Sequence, residues 1–507
     1  MNHKARKIAQ ICLCIALIGM FSCEEIPDTT PEQVDFEIPT STENICTIEA
    51  RVALGKSALE SEEAIADDAQ DIKDIQIPYV CGQVVVDKTS KAYQFLIEEL
   101  NDQGISFEEK AYCDCNRDLA LITSQSADLI GPVGSAKNKA KSIEGPNFIS
   151  PNFIVEMDFF DIEETEIVDG ELIKKYSTTA VPATQGSPFT NFQNTNLGGT
   201  HKIGINDSGT DTRDNNNVLS SYSWSPPTIL GSCLGGANNP YGVNVPLTSE
   251  LPTDLTGHGV GVNSVFLNNN LVNPEGGNFT FINAKFTSGE TGSGTLGSLL
   301  CGIYYLVEEG ANPINISAGF DSPQDTFALI DKAVKFAEDR GVVLIAGLGN
   351  GIDDGSGTRV GYNVGPRSGM YFEPASSVAK GNFGITVAAL DQLGNLAPFS
   401  NYSTEGFMTL ATKGTEIEVL SPGFIYGAQA DSGPNYIVKR SGTSFATPQV
   451  TGTIAAMMEV ASGVNPQDLR RYISCSGDEF LLPNGLPAKA LNHSKSIQEV
   501  TSPTICP

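Results

Sequence analysis

Residues 441–452, which read SGTSFATPQVTG, are the most informative stretch of the sequence. Apolar residues recur in and after it at helical spacing, at Ala446, Val450 and Ile454. This pattern predicts a tight turn that opens directly into a helix with one buried face. Gly442 permits the turn, and Thr443 suits the N-cap position. Ser444 is then expected at the positive end of the helix dipole, a position that suits a nucleophile whose attack creates an oxyanion.

A serine nucleophile needs a base and an acid that orients the base. His258 is the best candidate base, because glycines flank it on both sides and let another segment approach the ring. The other histidines are interpreted as signal, structural or surface residues: His3, His201 and His493. Asp207 ends an apolar strand-like run and precedes a turn, where catalytic groups collect in parallel sheets. The order Asp207, His258, Ser444 is the order of the subtilisin-type triad.

At these residues the chain resembles the subtilisin-like serine proteases, the subtilases. Residues 442–448 (GTSFATP) are similar to the family's Gly-Thr-Ser-x-Ala-x-Pro motif. Residues 207–209 (DSG) match its aspartate motif, and residues 257–259 (GHG) match the centre of its histidine motif. After the histidine the family usually continues Gly-Thr-His-Val-Ala, whereas this chain has GVGVN at 259–263. These departures concern contacts on the substrate side more than catalysis.

The resemblance implies roles for further residues. Asn350 lies in a glycine-rich turn after a buried strand, like the family's asparagine whose amide donates to the oxyanion beside the Ser444 backbone N–H. The segment 314–319 (INISAG) resembles the strand on which the family binds substrate, so a substrate is expected to pair with it as an added strand. One wall of the main specificity pocket would then be formed by Ser317, Ala318 and Gly319.

The first 22 residues have the pattern of a secretory signal peptide: a basic start and an apolar run too short to span a membrane. The run GMFSC at 19–23 resembles a relaxed bacterial lipobox, so Cys23 is expected to carry a lipid that anchors the protein to a membrane. Ordinary signal cleavage near this point is the alternative. The protein is therefore expected to be exported, as a cell-surface or outer-membrane lipoprotein or in secreted form.

Beyond the signal the chain is strongly acidic. Residues 1–22 hold three of the 31 basic residues and none of the 60 acidic ones, which leaves a formal charge of −32 on the rest. This charge argues against nucleic acid as a partner, because phosphates would be repelled. An even number of cysteines in an exported chain favours disulfides over zinc, with the pairing left open. The eight are Cys46, Cys81, Cys113, Cys115, Cys233, Cys301, Cys475 and Cys506.

Changes of pattern divide the chain into successive segments. The predicted segments are a signal peptide (1–22), an acidic tether (23–75), a small α+β domain (76–160), a linker (161–194), the subtilisin-like domain (195–498) and a C-terminal tail (499–507). The α+β domain resembles, in position and pattern, the propeptide that precedes subtilase catalytic domains. That resemblance implies a folding assistant and inhibitor that is cut off in or slightly before the linker. A separate α+β binding domain is the alternative.

From 195 onwards short apolar strands alternate with helical patterns. This alternation indicates an α/β fold, with a parallel β-sheet flanked by helices on both faces. No cofactor is expected to be required. The polar, glycine-rich run 352–357 could bind calcium, as many family members do elsewhere in the fold, although it fits no calcium-loop template and a plain loop is the alternative.

Two functions follow from the sequence. The first is an exported serine endopeptidase that hydrolyses peptide bonds of proteins through an Asp-His-Ser triad and an acyl-enzyme. The alternative is a non-catalytic surface lipoprotein that uses a subtilase fold for binding. The presence of Asp207, His258, Asn350 and Ser444 favours the enzyme, because an inactive relative would be free to lose them, whereas the altered residues after His258 support the alternative.

Overall fold

The computed structural model describes most of the chain from residue 45 onwards, and the described residues lie in one compact unit, Asp35–Pro507. They are 45–54, 71–111, 113, 115–125, 128–143, 148–157, 162–168, 171–177, 201–209, 254, 256–266, 279–287, 293–323, 327–354, 358–421, 436–504 and 506. The predicted signal peptide, Cys23 and Cys233 lie outside them.

An eight-stranded sheet forms the centre of the C-terminal part. In spatial order its strands are β21 (Asp478–Leu481), β22 (Pro487–Ala490), β18 (Leu410–Lys413), β17 (Ile385–Leu390), β13 (Leu344–Gly347), β11 (Ile314–Ile316), β8 (His201–Asp207) and β9 (Phe279–Lys285). Neighbours from β9 to β22 run parallel, and β21 pairs antiparallel at the edge. The central strands are apolar and buried along their length, as expected of a sheet covered on both faces.

Helices cover both faces of this sheet. Leu344 and Ala346 of β13 pack into one hydrophobic core, whereas Ile345 packs into the other, because side chains alternate along a strand. The first core receives α4 (Leu296–Glu308), α5 (Ala328–Glu338) and α6 (Ala375–Lys380). The second receives α7 (Thr443–Val460) and α8 (Pro466–Cys475), with α9 (His493–Thr501) against α7. The predicted α/β fold is confirmed.

A smaller domain, called here the N-terminal domain (described residues 45–157), precedes this part. Its sheet has the order β5 (Ile149–Val155), β2 (Asp71–Asp87), β4 (Leu119–Thr123) and β3 (Glu108–Ala111), and β1 (Ile45–Leu54) pairs with β2. Two helices, α1 (Lys91–Asp102) and α2 (Ile130–Lys141), share a core with one face of the sheet. The other face packs on the C-terminal part, whose strand β10 (Gly294–Thr295) extends the sheet beside β5.

Three predicted boundaries differ from the structure. The predicted tether contains β1 and the start of β2, which pair along their length because alternate residues such as Ala50 and Val52 are buried. The predicted linker contains the hairpin of β6 (Ile162–Val168) and β7 (Glu171–Ser177), for which the Asp-Gly pair at 169–170 was a signal. The predicted tail is fastened by a Cys475–Cys506 disulfide.

Short hairpins and one further helix complete the described structure. They are β12 (Phe320–Ser322) with β16 (Tyr371–Glu373), β14 (Ile352–Asp353) with β15 (Arg359–Val360), β19 (Ile417–Ser421) with β20 (Tyr436–Arg440), and α3 (His258–Val265). The polar, glycine-rich run 352–357, named above as a possible calcium site, begins with β14 of one of these hairpins. Among the helices in the described ranges, none combines the length and apolar character needed to cross a membrane.

The cysteines are oxidised only in part. Cys46 pairs with Cys81, Cys475 pairs with Cys506, and Cys115 is also disulfide-bonded. Cys113 and Cys301 are buried thiols, so the disulfides favoured by the even number of cysteines do not include these two. Both side chains belong to the large core shared by the two parts of the molecule, where a thiol packs as a small apolar group.

Candidate active site

Asp207 and His258 form a buried pair. Asp207 is the last residue of β8, and His258 is the first residue of α3. The distance between Asp207 Oδ1 and His258 Nδ1 is 2.7 Å, and neither side chain is more than 1 % exposed. A carboxylate at this distance accepts the Nδ1 proton, which leaves Nε2 as the nitrogen that can take up a proton from elsewhere. The pair therefore has the geometry of an oriented general base.

Glycines allow the two elements to approach. A Cβ placed on Gly259 would lie 2.2 Å from the carbonyl oxygen of Gly209, so no larger residue fits where α3 meets the turn after β8. Gly257 caps α3 with a φ of 74°, a left-handed conformation that glycine adopts without strain. The glycine flanks that singled out His258 in the sequence thus serve close packing and a helix start.

Asp254 is a buried carboxylate that sequence reasoning missed. Its Oδ1 accepts hydrogen bonds from the Gly257 N–H (2.9 Å) and the Ser208 hydroxyl (2.8 Å), and its Oδ2 accepts from the Val260 N–H (2.7 Å). It joins the turn that carries Asp207 to the first turn of α3, which carries His258. An Asp a few residues before a helix was the available signal, because its oxygens satisfy unpaired N–H groups at helix starts.

Arg440 is a second residue that the sequence did not identify. Its side chain has no exposed surface, and its guanidinium donates to the carbonyl oxygen of Gly257 at 2.6 Å. Arg440 ends β20, four residues before Ser444, so this contact joins the segment of the nucleophile to the residue that precedes His258. The two residues are 183 positions apart, and nothing local in the sequence relates them.

Ser444 is the second residue of α7, as the turn-to-helix pattern predicts. The predicted N-cap is one residue off, because Gly442 occupies the cap and Thr443 is the first helical residue. Thr443 donates instead to Asn350 Oδ1, from its N–H (2.8 Å) and its hydroxyl (3.0 Å). These two bonds occupy the oxygen of the Asn350 amide and fix the orientation of the side chain. Asn350 and Ser444 both line one cavity of about 400 Å³.

Ser317 holds Ser444 from the side of the β11 strand. The Ser444 hydroxyl donates to the carbonyl oxygen of Ser317 at 3.1 Å, and the Ser317 hydroxyl donates to the carbonyl oxygen of Ser444 at 3.0 Å. The ring of His258 lies beside that of Phe445, with centroids 5.7 Å apart. Because the Ser444 hydroxyl points at the Ser317 carbonyl, it would have to rotate to pass its proton to His258.

A strand of the N-terminal domain lines the same cavity as Asn350 and Ser444. Glu156 and Gly319 exchange two backbone hydrogen bonds, of 3.0 and 3.1 Å, in an antiparallel bridge. Just before it, Ile154 and Val155 pair antiparallel with β10. The segment 154–156 is thus held between two edges of the C-terminal part, beside the residues predicted to bind substrate.

The structure brings the predicted site residues that it describes to this region, and Cys23 lies outside the described residues. Asp207, His258, Asn350 and Ser444 surround the start of α7, and the wall residues Ser317, Ala318 and Gly319 line the cavity with Asn350 and Ser444. His493 bonds instead to the Thr453 hydroxyl through Nδ1 (2.9 Å). Among the described residues, no three His, Cys, Asp or Glu side chains converge as a metal site would require, and the calcium expectation stays a prediction.

The subtilase family model matches residues 178–485 of this chain. The chain is 33% identical over 232 residues to the thermophilic serine proteinase of Bacillus sp. (strain AK1), covering 45% of this chain and 49% of that protein. It is 30% identical over 200 residues to subtilisin DY of Bacillus licheniformis, covering 39% and 62% respectively. The chain thus spans about half to three fifths of the length of these relatives.

A solved structure supports the fold alone. Fervidolysin from Fervidobacterium pennivorans, described as a keratinolytic enzyme related to subtilisin, superposes with a TM-score of 0.53 at 15% identity. The superposition covers 83% of this chain and 61% of fervidolysin.

Proposed function

This chain belongs to the subtilase family, and from that premise we propose that it is an exported serine endopeptidase that hydrolyses peptide bonds of proteins. The observation that carries the proposal is the buried 2.7 Å contact between Asp207 Oδ1 and His258 Nδ1, beside a serine at the start of a helix. A carboxylate and an imidazole buried together serve to orient a base next to a nucleophile.

The proposed mechanism uses only side chains and backbone of this chain. Asp207 keeps His258 in the tautomer with a proton on Nδ1 and stabilises the cation that forms later. His258 takes the Ser444 proton as Ser444 Oγ attacks the carbonyl carbon of the substrate. The Asn350 amide and the Ser444 N–H donate to the oxyanion. His258 then protonates the leaving amine, and a water molecule hydrolyses the acyl-enzyme.

The N-terminal domain is proposed to act as the enzyme's own inhibitor. Its segment 154–156 pairs with β10 and Gly319 as an added strand, which is how a substrate would be bound on this edge. Its Phe153 packs in the core of the C-terminal part, with ring centroids 5.2 Å from Phe320 and 5.9 Å from Phe327. A protein substrate would have to displace this strand.

Export and a lipid anchor on Cys23 belong to the same proposal. They rest on the sequence of residues 1–23, which lie outside the described part of the chain. The partners proposed are protein or peptide substrates and, through Cys23, a membrane. The acidic charge of the exported part continues to argue against nucleic acid.

The pairing of Glu156 with Gly319 also suggests where the enzyme cuts its own chain. Glu156 bridges to Gly319, and Ser317 of the same wall contacts the Ser444 hydroxyl through its carbonyl oxygen. We therefore expect self-cleavage a short distance after Glu156, in or slightly before the predicted linker 161–194.

Mass spectrometry of the full chain, before and after incubation, tests the proposal. The wild type is expected to lose an N-terminal fragment that ends in or slightly before the linker 161–194, whereas Ser444→Ala is expected to stay intact. Ser474→Ala is the matched control, because that hydroxyl bonds within α8, to the carbonyl of Arg470, and it should process normally. Cleavage by Ser444→Ala would contradict the assignment of the nucleophile. Intact protein in every case, with no cleavage of an unfolded protein substrate, would favour the binding function instead.

A further inference from the structure

We propose that Phe372 closes the base of the specificity pocket, so that the enzyme accepts only a short side chain, such as Ala, Ser or Asp, on the residue whose carbonyl Ser444 attacks. This inference rests on the proposed function, since it names the class of substrate for that same site. It is carried by the position of one aromatic ring between the two walls of the cavity.

The two walls of the pocket come from neighbouring strands of the sheet. One wall is the segment Ser317–Gly319, which follows β11, and the other is the segment 347–350, which follows β13 and ends at Asn350. Ser444 lies at the mouth of the gap, because its hydroxyl contacts the Ser317 carbonyl. A substrate carbonyl presented to Ser444 and Asn350 therefore directs its own side chain into the gap between these walls.

The ring of Phe372 spans this gap. A Cβ placed on Gly319 would lie 2.4 Å from Cε1 and 2.6 Å from Cζ of Phe372. A Cβ placed on Gly349 would lie 2.7 Å from Cδ2 and 2.8 Å from Cε2 of the same ring. Cε1 and Cε2 belong to opposite edges of a phenyl ring, so one edge faces each wall. Both walls are glycine at the point of contact, which lets the ring pack against each of them. The ring thereby occupies space between the walls that a long substrate side chain would need.

The backbone that carries Phe372 is held in place. Phe372 belongs to β16, which pairs with β12, and β12 continues directly from the wall residue Gly319. The Phe372 N–H donates to the Ser376 hydroxyl at 3.2 Å. The strand cannot withdraw without disturbing the wall, so the ring is a fixed boundary of the cavity. Overfilling a packed site is unfavourable, and a long side chain would have to displace the ring.

The test uses the protein after self-processing and removal of the bound N-terminal domain, with two peptides that differ only in the residue before the scissile bond, Ala or Phe. The wild type is expected to cleave the Ala peptide with a kcat/KM roughly 100-fold higher than the Phe peptide, a discrimination that a size-limited pocket can supply. Phe372→Ala is expected to abolish or reverse this preference by accelerating cleavage of the Phe peptide. Phe372→Leu, a milder change, is expected to fall between the two.

Phe336→Ala is the matched control. Phe336 lies on α5 and contacts Tyr304, with centroids 4.8 Å apart, so its removal should leave the ratio of the two kcat/KM values unchanged. Equal cleavage of both peptides by the wild type, or a wild-type ratio in Phe372→Ala and Phe372→Leu, would overturn the inference while leaving the protease function in place. If the wild type cleaved neither peptide and behaved like Ser444→Ala, the proposed function itself would fail.

Discussion

Among single residues, Glu373 has a carboxyl group whose protonation the fold shifts strongly. Its side chain has no exposed surface, and burial, together with the charge of Asp331, raises its pKa to about 8, against the opposing effect of Lys380. Oε2 accepts from the Ser377 N–H at 3.1 Å, whereas Oε1 has no hydrogen-bond partner within the described residues. Glu373 is therefore protonated at neutral pH and becomes a buried anion only in alkaline solution.

This pKa predicts how stability depends on pH. Between the ordinary pKa of 4.5 and the folded-state pKa of about 8, the folded protein binds the proton more tightly than the unfolded chain does. The wild type therefore loses stability through this group as pH rises across that window. Glu373→Gln, which has no charge to bury, should be more stable than the wild type by a few kcal/mol above pH 8 and equal to it below pH 4.5.

Denaturant unfolding of both proteins at several pH values measures this difference, with both chains on the Ser444→Ala background so that self-cleavage does not interfere. Asp391→Asn is the control, since Asp391 lies in an exposed turn. A free-energy difference between Glu373→Gln and the parent that stays constant from pH 4 to pH 9 would contradict the prediction.

Among the secondary-structure elements, the residue after β5, Glu156, binds the wall residue Gly319 and so holds the N-terminal domain at the site. The contact consists of backbone hydrogen bonds between Glu156 and Gly319, and the Glu156 side chain is exposed. A proline at this position lacks the N–H that donates to the Gly319 carbonyl, whereas an alanine keeps it. The side chain and the backbone can therefore be tested separately.

Glu156→Pro is expected to slow self-processing by roughly tenfold or more. The reason is that the hydrogen bond from the residue-156 N–H is lost and the Gly319 carbonyl oxygen is left without its donor. Glu156→Ala is expected to process at the wild-type rate. The measurement is the rate of appearance of the shorter chain by gel or mass spectrometry. Equal rates in both variants would show that this bridge does not present the chain to Ser444.

At the scale of the whole molecule, the two parts share one hydrophobic core. Tyr79, Phe153 and Val155 of the N-terminal domain belong to the same buried cluster as Leu296 and Phe320 of the C-terminal part. An ion pair between Asp87 and Lys332 crosses the same boundary. A core of this kind predicts that the N-terminal domain would stay bound after the proposed self-cleavage, so that it would have to be displaced or digested before the cleft opens.

Phe153→Ala is expected to weaken the complex of the cleaved N-terminal domain with the enzyme by about 100-fold or more, because loss of a buried aromatic typically costs about 3–5 kcal/mol. The readout is the concentration at which added N-terminal domain inhibits cleavage of a peptide. Phe95→Ala is the control, since Phe95 packs in the core within the N-terminal domain. Similar inhibition by the wild-type and Phe153→Ala domains would show that Phe153 contributes little to the binding of the domain.

Features that depend on residues close together in the chain could be predicted from the sequence. The helix after Ser444, the strand before Asp207 and the glycines around His258 were predictable because periodicity and turn chemistry act over a few residues. Patterns of this kind also predicted the α/β fold and the α+β domain. Where a local signal was overlooked, as at the Asp-Gly pair 169–170, the structure differs from the predicted linker.

Only the tertiary structure decided the contacts between distant segments. Thr443 and Asn350 are 93 positions apart, and Arg440 and Gly257 are 183 apart, yet their bonds hold the serine and histidine segments together. In the sequence, nothing distinguishes Phe372 from other apolar strand residues. Only the fold shows that its ring lies between Gly319 and Gly349. The physical reason is that such contacts depend on how whole elements pack, and packing is set by the summed burial of many side chains and not by any one local pattern.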